Sequence, residues 1–244
     1  MKNKFVLKLV VFICCFSLTS SASAELLAHW SFDNESDPWH DDSGNGHNGI
    51  EYGDPQWGAQ QLYFDGIDDF GDVGSWTFGK SETFSIEVAF TSSGVSNNDC
   101  LIGYSTGGTP GPGDPGVINV LLKDDGKILA EIMDDNHVFS NVMTELTYND
   151  NNPHTVTFTR NTTDGYIYLT TELEQVSAID LTTEQIRAPH LSIGCMWDDS
   201  IADPYWDGFH GYIDDVKITP EPFTFSLLAL GGLVLRRRKR NSQS

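Results

Sequence analysis

Residues 83–90 read Thr83-Phe84-Ser85-Ile86-Glu87-Val88-Ala89-Phe90, with a large apolar side chain at every second position. Successive side chains of a β-strand point to opposite faces, so this spacing predicts a strand with one buried face. Residues 26–32 show the same alternation, with Trp30 in the apolar phase. Both stretches predict half-buried antiparallel strands.

The rest of the chain between its two ends repeats this pattern in short pieces. Further predicted strands are Leu62 to Phe64, Phe70 to Val73, Cys100 to Tyr104, Val117 to Leu122, Ile128 to Met133, Thr155 to Arg160, Tyr166 to Thr170, Leu191 to Gly194 and Gly211 to Ile218. Asp65-Gly66, Asp125-Gly126 and Asp164-Gly165 are hairpin signals, while residues 106–116 and 197–208 predict surface loops. So many short strands predict an all-β, two-sheet sandwich.

The first 24 residues have the features of a signal peptide. Lys2, Lys4 and Lys8 accompany an apolar stretch at residues 5–16, and Ala22-Ser23-Ala24 offers the small residues that a signal peptidase requires. We therefore expect export of a domain that starts at Glu25.

The last 25 residues, 220–244, form a second signal. Pro220-Glu221-Pro222 precedes a stretch without charge at residues 223–235 and the basic residues 236–240. The arrangement resembles the PEP-CTERM sorting signal, which implies recognition by the membrane enzyme exosortase and cleavage near the triplet. The apolar stretch is about 20 Å long as a helix, short of the roughly 30 Å of a bilayer core, so it predicts a transient membrane helix. An ordinary tail anchor is the alternative.

The predicted domain, residues 25–219, is strongly acidic. It has six lysines and arginines and 34 aspartates and glutamates, a formal charge of −28 (6 − 34). This charge argues against nucleic acid as a partner and favours solubility or cation binding. Cys100 and Cys195 lie in this domain, where an oxidising compartment permits a disulfide but the sequence does not establish one.

Three motifs occur in order along the domain: Ala28-His29-Trp30-Ser31-Phe32-Asp33 with the loop Asp42 to Gly49, then Leu62-Tyr63-Phe64-Asp65-Gly66-Ile67-Asp68-Asp69-Phe70, and finally Phe209-His210-Gly211-Tyr212-Ile213-Asp214-Asp215-Val216-Lys217-Ile218. Together they resemble the laminin G-like, concanavalin A-like jelly roll. The resemblance covers nearly all of residues 25–219 and implies a two-sheet jelly-roll sandwich. It also implies that a calcium ion is a candidate cofactor.

The residues give a reason to expect calcium. Asp214 is in register with Val216 and Ile218, on the side predicted to face the core, where a carboxylate is costly without a cation. Calcium binds six to eight oxygens, which loops rich in Asp, Asn and Gly supply. The candidate metal ligands are Asp33, Asp42, Asn45, Asn48 and Asp214. The alternative is that these residues only form turns, as we expect of Asp68 and Asp69.

No catalytic motif occurs in the context that its chemistry requires. Jelly-roll glycoside hydrolases of the laminarinase type carry Glu-x-Asp-x-x-Glu, but the nearest stretch, residues 131–136, has Met133 and Asn136 at the second and third acidic positions. Gly103-Tyr104-Ser105-Thr106-Gly107 has the Gly-x-Ser-x-Gly spacing, but a nucleophile elbow needs a helix after the serine, and a predicted loop follows here. A His-Glu-x-x-His motif is missing from the sequence. We therefore interpret the chain as a protein that is not an enzyme.

Two functions remain open on the sequence. The first is an exported binding module of the cell envelope, cell surface or extracellular matrix, with a polysaccharide or protein ligand and calcium assistance. Candidate sugar-stacking residues are Trp39, Trp197, Tyr205 and Trp206, although large aromatic residues also cap sandwich cores. The second is a structural component of the envelope or matrix without a discrete ligand.

Overall fold

A computed structural model describes residues 26–94, 98–106, 115–198 and 205–220. These residues form strands and contain no helix. The predicted signal peptide and the sorting signal after Pro220 lie outside the described residues. The strands are β1 (Ala28–Trp30), β2 (Ile50–Tyr52), β3 (Gln56–Gly58), β4 (Gln61–Asp65), β5 (Phe70–Asp72), β6 (Trp76–Phe78), β7 (Phe84–Ser92), β8 (Asp99–Ser105), β9 (Val117–Leu122), β10 (Ile128–Met133), β11 (Phe139–Met143), β12 (His154–Asn161), β13 (Tyr166–Thr171), β14 (Gln175–Ile179), β15 (Ile186–Ala188), β16 (Ser192–Ile193), β17 (Met196–Asp198), β18 (Tyr205–Trp206) and β19 (His210–Pro220).

Two sheets make up the sandwich, which confirms the predicted fold class. The eight-stranded sheet has the order β14-β13-β12-β7-β19-β4-β3, and β1 pairs with β19. The nine-stranded sheet has the order β11-β10-β9-β8-β16-β5-β2, with β17 and β18 attached at β8. Strands β6 and β15 form a separate pair.

The core lies between the apolar faces of the two sheets. Phe84, Ile86, Val88 and Phe90 of β7 are all buried, as their spacing predicts. Trp30 is fully buried and meets Trp76 edge-on, with ring centroids 6.4 Å apart. An edge-to-face pair adds about 0.5–1.5 kcal/mol to what its buried area contributes.

Two of the three predicted hairpins are confirmed. Asp125-Gly126 joins the antiparallel strands β9 and β10, and Asp164-Gly165 joins β12 and β13. Asp65-Gly66 is different, because β4 and β5 belong to different sheets and the chain crosses between them there. Asp69 fixes this crossover, since its carboxylate accepts the amide hydrogens of Asp54 at 2.7 Å and Asp65 at 3.0 Å.

The predicted loop at residues 197–208 contains short strands. β17 pairs in parallel with β8 and antiparallel with β18, so the described part of this segment extends the nine-stranded sheet. The prediction of a loop is wrong at these positions. Residues 107–114 of the other predicted loop lie outside the described residues.

Both cysteines of the domain are buried and free. Cys100 is 0% exposed and Cys195 is 2% exposed, and neither forms a disulfide. Burial raises the pKa of both thiols, that of Cys195 to about 12. A thiol with such a pKa is protonated and unreactive at neutral pH.

The described residues contain no helix of the length and apolarity needed to cross a membrane.

Candidate functional site

The outer face of β9, β10 and β11 carries three ordered rows of side chains. The inner residues of these strands, such as Ile118, Val120 and Ile132, belong to the core. The antiparallel register aligns the outer residues: Val117, Met133 and Phe139 in the first row, Asn119, Glu131 and Asn141 in the second, and Leu121, Leu129 and Met143 in the third. A polar row therefore runs across the strands between two apolar rows.

A groove of about 370 Å³ lies on this face. Its lining is drawn mainly from β9 to β11, with side chains of β8 and β17 added, among them Ser105 and Met196. This volume is within the roughly 300–1,000 Å³ of small-molecule sites. Phe139 is 41% exposed and supplies an aromatic ring at the lining.

Asn119 is the central polar residue of the groove. Its Nδ2 donates to Oε1 of Glu131 on the neighbouring strand at 3.0 Å. Its Oδ1 is buried and has no hydrogen-bond partner among the described residues. The Asn119 side chain lies over Gly103 of β8, where a β-carbon would come within 2.5 Å of Oδ1. Only glycine at position 103 leaves room for this amide.

The groove also contains an acidic group with an altered pKa. Burial raises the pKa of Asp207, although the charge of Lys123 and a hydrogen bond with Asn98 oppose the shift. All three residues line the groove. Asp207 has a positive φ of 54°, a conformation that aspartate tolerates better than most residues. Its backbone carbonyl accepts the amide hydrogen of Cys100 at 2.7 Å, which ties it to β8.

Trp39, one of the predicted stacking residues, belongs to the core. It is 4% exposed and meets Phe32 and Phe64 edge-on at 5.3 and 6.4 Å. Its Nε1 donates to Oε2 of Glu51 at 2.8 Å, which satisfies the polar end of the ring. The ring therefore has no open face for a sugar, and the alternative of a core cap is correct for this residue.

The other predicted stacking residues lie beside β8. Trp197 is half-buried and stacks on His190 with centroids 4.5 Å apart, so one of its faces is occupied. Tyr52 and Phe70 meet it edge-on at 6.2 and 6.0 Å. The backbones of Tyr205 and Trp206 form β18, but their side chains lie outside what the structure describes.

The predicted calcium loop is organised by Asp41, which the sequence analysis did not select. Asp41 is 1% exposed and accepts the amide hydrogens of His29, Ser43 and His47 at 2.9–3.0 Å. Burial raises the pKa of its carboxyl group, but these hydrogen bonds outweigh burial and lower it. The amide of Asn48 joins this network, since its Oδ1 accepts the Asp41 amide hydrogen at 2.8 Å.

Three of the predicted calcium ligands thus have protein partners: Asn48, Asn45 and Asp42. Nδ2 of Asn45 donates to the carbonyls of Leu26 and Leu27, and Oδ2 of Asp42 accepts from the Ser31 hydroxyl at 2.5 Å. The loop is therefore held by its own hydrogen bonds.

Asp33 and Asp214 remain as a close acidic pair. β1 pairs with β19, so the condition that the first and last strands are neighbours is met. The register shifts between Ile213 and Asp215, and this β-bulge leaves Asp214 exposed. The prediction that Asp214 faces the core is therefore wrong. Burial and the charges of Asp215 and Asp33 still raise its pKa, against the opposing charge of Lys217.

One acidic trio in the described part of the chain brings ligand oxygens within 4.8 Å of one another: Asp65, Asp68 and Asp69. Asp33, Asp42 and Asp214 do not form such a trio among the described residues. Asp69 is 6% exposed, so the prediction that it is a solvated turn residue is wrong. Both of its oxygens accept backbone amide hydrogens, which explains its burial.

The sorting triplet is only partly visible. Pro220 is the last residue of β19, and Glu221 and Pro222 lie outside the described residues.

The strand order and the two packed antiparallel sheets define a β-sandwich of the jelly-roll class. Residues 96–221, more than half of the chain, match the family model described as "Laminin G domain", so this chain belongs to the laminin G domain family.

Solved structures show the same fold. Domain 4 of AbnA, a GH43 extracellular arabinanase from Geobacillus stearothermophilus in complex with arabinotriose, is similar with a TM-score of 0.59 and 17% identity, covering 81% of this chain and 93% of that one. The receptor binding domain of botulinum neurotoxin type G has a TM-score of 0.51 and 13% identity, covering 80% and 48%. A comparison with curated proteins finds no match.

Sequence reasoning missed the groove. The sequence feature that indicates the groove is Asn119, a single amide in the middle of the apolar stretch Val117-Ile118-Asn119-Val120-Leu121-Leu122. A polar residue there has to be either paired or part of a site.

Proposed function

We propose that this chain is an exported module of the cell surface or extracellular matrix that binds polysaccharide in the groove of the nine-stranded sheet. The observation that carries the proposal is the polar row of Asn119, Glu131 and Asn141 between two apolar rows. A sugar ring presents both hydroxyl groups and apolar C–H faces, so a surface that alternates amides and carboxylates with apolar side chains matches it. The small number of polar groups among apolar ones is typical of binding sites.

The proposed activity is binding without turnover. Glu131 and Asp207 both line the groove, so a hydrolase that uses two carboxylates is the alternative to test. Glu131 hydrogen-bonds the Asn119 amide, which favours a recognition role. A bound glycan whose reducing ends increase on incubation with the protein would contradict this part of the proposal.

The test of binding is a polysaccharide array probed with the full-length protein in detergent. Neutral polymers such as arabinan, dextran and laminarin and acidic ones such as polygalacturonate and alginate are compared. Phe139→Ala removes the exposed aromatic ring of the groove, and we expect it to weaken binding about tenfold, which corresponds to about 1.4 kcal/mol. Tyr166→Ala is the matched control, because Tyr166 is similarly exposed at 40% but lies on the other sheet.

Blank spots for every polysaccharide favour the second candidate function, a structural component without a discrete ligand. Capture of a surface protein by the same groove, lost in Phe139→Ala, would replace polysaccharide with protein as the ligand.

The delivery part of the proposal rests on the two terminal signals. We propose that signal peptidase removes residues 1–24 and that exosortase recognises Pro220-Glu221-Pro222 after transient anchoring by the apolar stretch. Deletion of residues 220–240 should release the domain into the medium, measured by fractionation of cells and medium. Continued membrane retention of the deleted form would contradict this route.

Calcium is the remaining part of the proposal. Asp33 and Asp214 would hold the ion, whose charge would offset the burial and the repulsion that raise the pKa of Asp214. Millimolar calcium should then raise the unfolding temperature of the full-length protein, and a chelator should reverse it. The double substitution Asp33→Asn with Asp214→Asn should abolish the response. A response that persists in this variant would show that calcium binds at other residues. The first alternative site is the trio of Asp65, Asp68 and Asp69.

A further inference from the structure

Oδ1 of Asn119 is an acceptor without a donor. The Asn119 side chain is 1% exposed, and its Oδ1 has no hydrogen-bond partner in the part of the chain that the structure describes. A buried acceptor in this state is costly, because it has given up its hydrogen bonds to water. This cost falls on a residue that lines the groove.

The amide cannot turn to relieve this without breaking another bond. Its Nδ2 donates to Oε1 of Glu131 at 3.0 Å, so the opposite atom, Oδ1, is left toward Gly103. Oδ1 packs against Gly103 near the Cys100 thiol, since a β-carbon at position 103 would lie 2.5 Å from Oδ1 and 2.6 Å from Sγ of Cys100. Asn119 and Glu131 thus hold each other, and the amide fixes the Glu131 carboxylate in the lining of the groove.

The charges of the groove select against anions. Glu131 and Asp207 are acidic, and Lys123 is the one basic residue in the described lining. Lys123 interacts with Asp207, so its charge is partly balanced inside the groove. A carboxylate or sulfate group on a ligand would meet Glu131 without a cation of its own, and like charges placed together in a low-dielectric site are strongly unfavourable.

We infer that the groove selects an uncharged, hydroxyl-rich glycan, because the Glu131 carboxylate, held in place by the Asn119 amide, disfavours acidic sugars. The inference rests on the proposed binding function and adds to it the class of sugar and the residue that selects it.

The experiment measures affinity for a matched pair of probes. The neutral polysaccharide with the strongest response on the array is carboxymethylated, which gives a charged probe on the same backbone. Titration calorimetry with the full-length protein should give at least tenfold weaker binding to the charged probe. Equal or tighter binding of the charged probe overturns the inference but leaves polysaccharide binding intact, whereas no binding of any glycan removes the proposed function itself.

Glu131→Gln tests the source of the selection. Gln keeps an oxygen that accepts the Asn119 amide hydrogen but has no charge, so the measured quantity is the ratio of the affinities for the neutral and the charged probe. The discrimination against the charged probe should shrink about tenfold. Glu87→Gln is the matched control, since Glu87 is also half-buried on a central strand but lies on the eight-stranded sheet. Unchanged discrimination in Glu131→Gln would show that this carboxylate does not select the ligand.

Discussion

Nε of Arg160 donates to Oδ2 of Asp180 at 2.8 Å, and the two side chains are 1% and 5% exposed. The remaining guanidinium nitrogens donate to the carbonyls of Gly79 and Lys80 and to the hydroxyl of Thr182 at 2.9–3.2 Å. Arg160 therefore joins the end of β12 to the segments after β6 and β14. A buried ion pair is tolerated when further hydrogen bonds satisfy its donors, as they do here.

Replacement of Arg160 by Met should lower the free energy of unfolding by about 3–5 kcal/mol, because it leaves Asp180 buried without its cation. Urea unfolding followed by circular dichroism measures this. Lys80→Ala is the control, since the exposed pair of Lys80 and Glu184 should contribute less than about 1 kcal/mol. If Arg160→Met lowers the free energy of unfolding no more than Lys80→Ala does, the ion pair of Arg160 and Asp180 does not have the stabilising role assigned to it.

His154 should make stability fall as the pH rises above the ordinary pKa of a histidine. Burial of its imidazole lowers the pKa, but hydrogen bonds to Glu172 at 2.5 Å and Asp150 at 2.8 Å outweigh burial and raise it. Both ring nitrogens face carboxylates, so only the doubly protonated ring donates to both.

Because the folded pKa of His154 is raised, its contribution is fully present below the unfolded value of about 6.5 and is lost as pH rises through the folded pKa. The free energy of unfolding is measured for the natural protein and for His154→Gln from about pH 6 to about pH 9. As the pH rises, the value for the natural protein should fall relative to that of the variant. Parallel curves for the two proteins would show that His154 has the same pKa in both states.

Gly71 should not tolerate a side chain. A β-carbon at this position would lie 2.1 Å from the ring of Trp39, which is packed in the core. Gly71→Ala should therefore destabilise the domain by about 1–3 kcal/mol through overpacking. Gly58→Ala is the matched control, because a β-carbon at position 58 would have no neighbouring atom within 4 Å. If the Gly71→Ala protein is as stable as the Gly58→Ala protein, the Trp39 ring does not pack against position 71.

Cys100 and Cys195 should remain free and protected in the folded protein. Burial raises the pKa of both, so labelling by a thiol reagent at neutral pH should be slow until a denaturant is added. Mass spectrometry of the peptides that contain each cysteine, without reductant, gives the extent of labelling. Unlabelled peptides after unfolding would reveal a disulfide, which the sequence alone permits.

The strands with one buried face were predictable from the sequence, and the departures have physical causes. β9 and β10 have the predicted bounds, because their apolar stretches end at a clear Asp-Gly turn. β11 was missed, since Phe139 and Met143 lie exposed at the edge of a sheet and its buried residues are Ser140 and Val142.

The candidate site was less predictable than the fold. The exposure of Asp214 depends on a bulge, and alternation in the sequence carries no sign of where a ladder shifts. The polar row depends on the register of three strands that bring Asn119, Glu131 and Asn141 side by side. Such cross-strand neighbours are distant in the sequence, so a pattern read along the chain does not join them.

The pairing of β1 with β19 places Ala28 opposite Ile218. The first and last strands of the sandwich thus lie side by side, and the amide of Leu27 donates to the carbonyl of Ile218 at 2.8 Å. A short linker could therefore join the two ends of the domain. New ends opened at the exposed turn of Thr163 and Asp164 would then give a circular permutant with the same sheets. The same adjacency lets the domain be grafted into a loop of a host protein, with the groove left free for display.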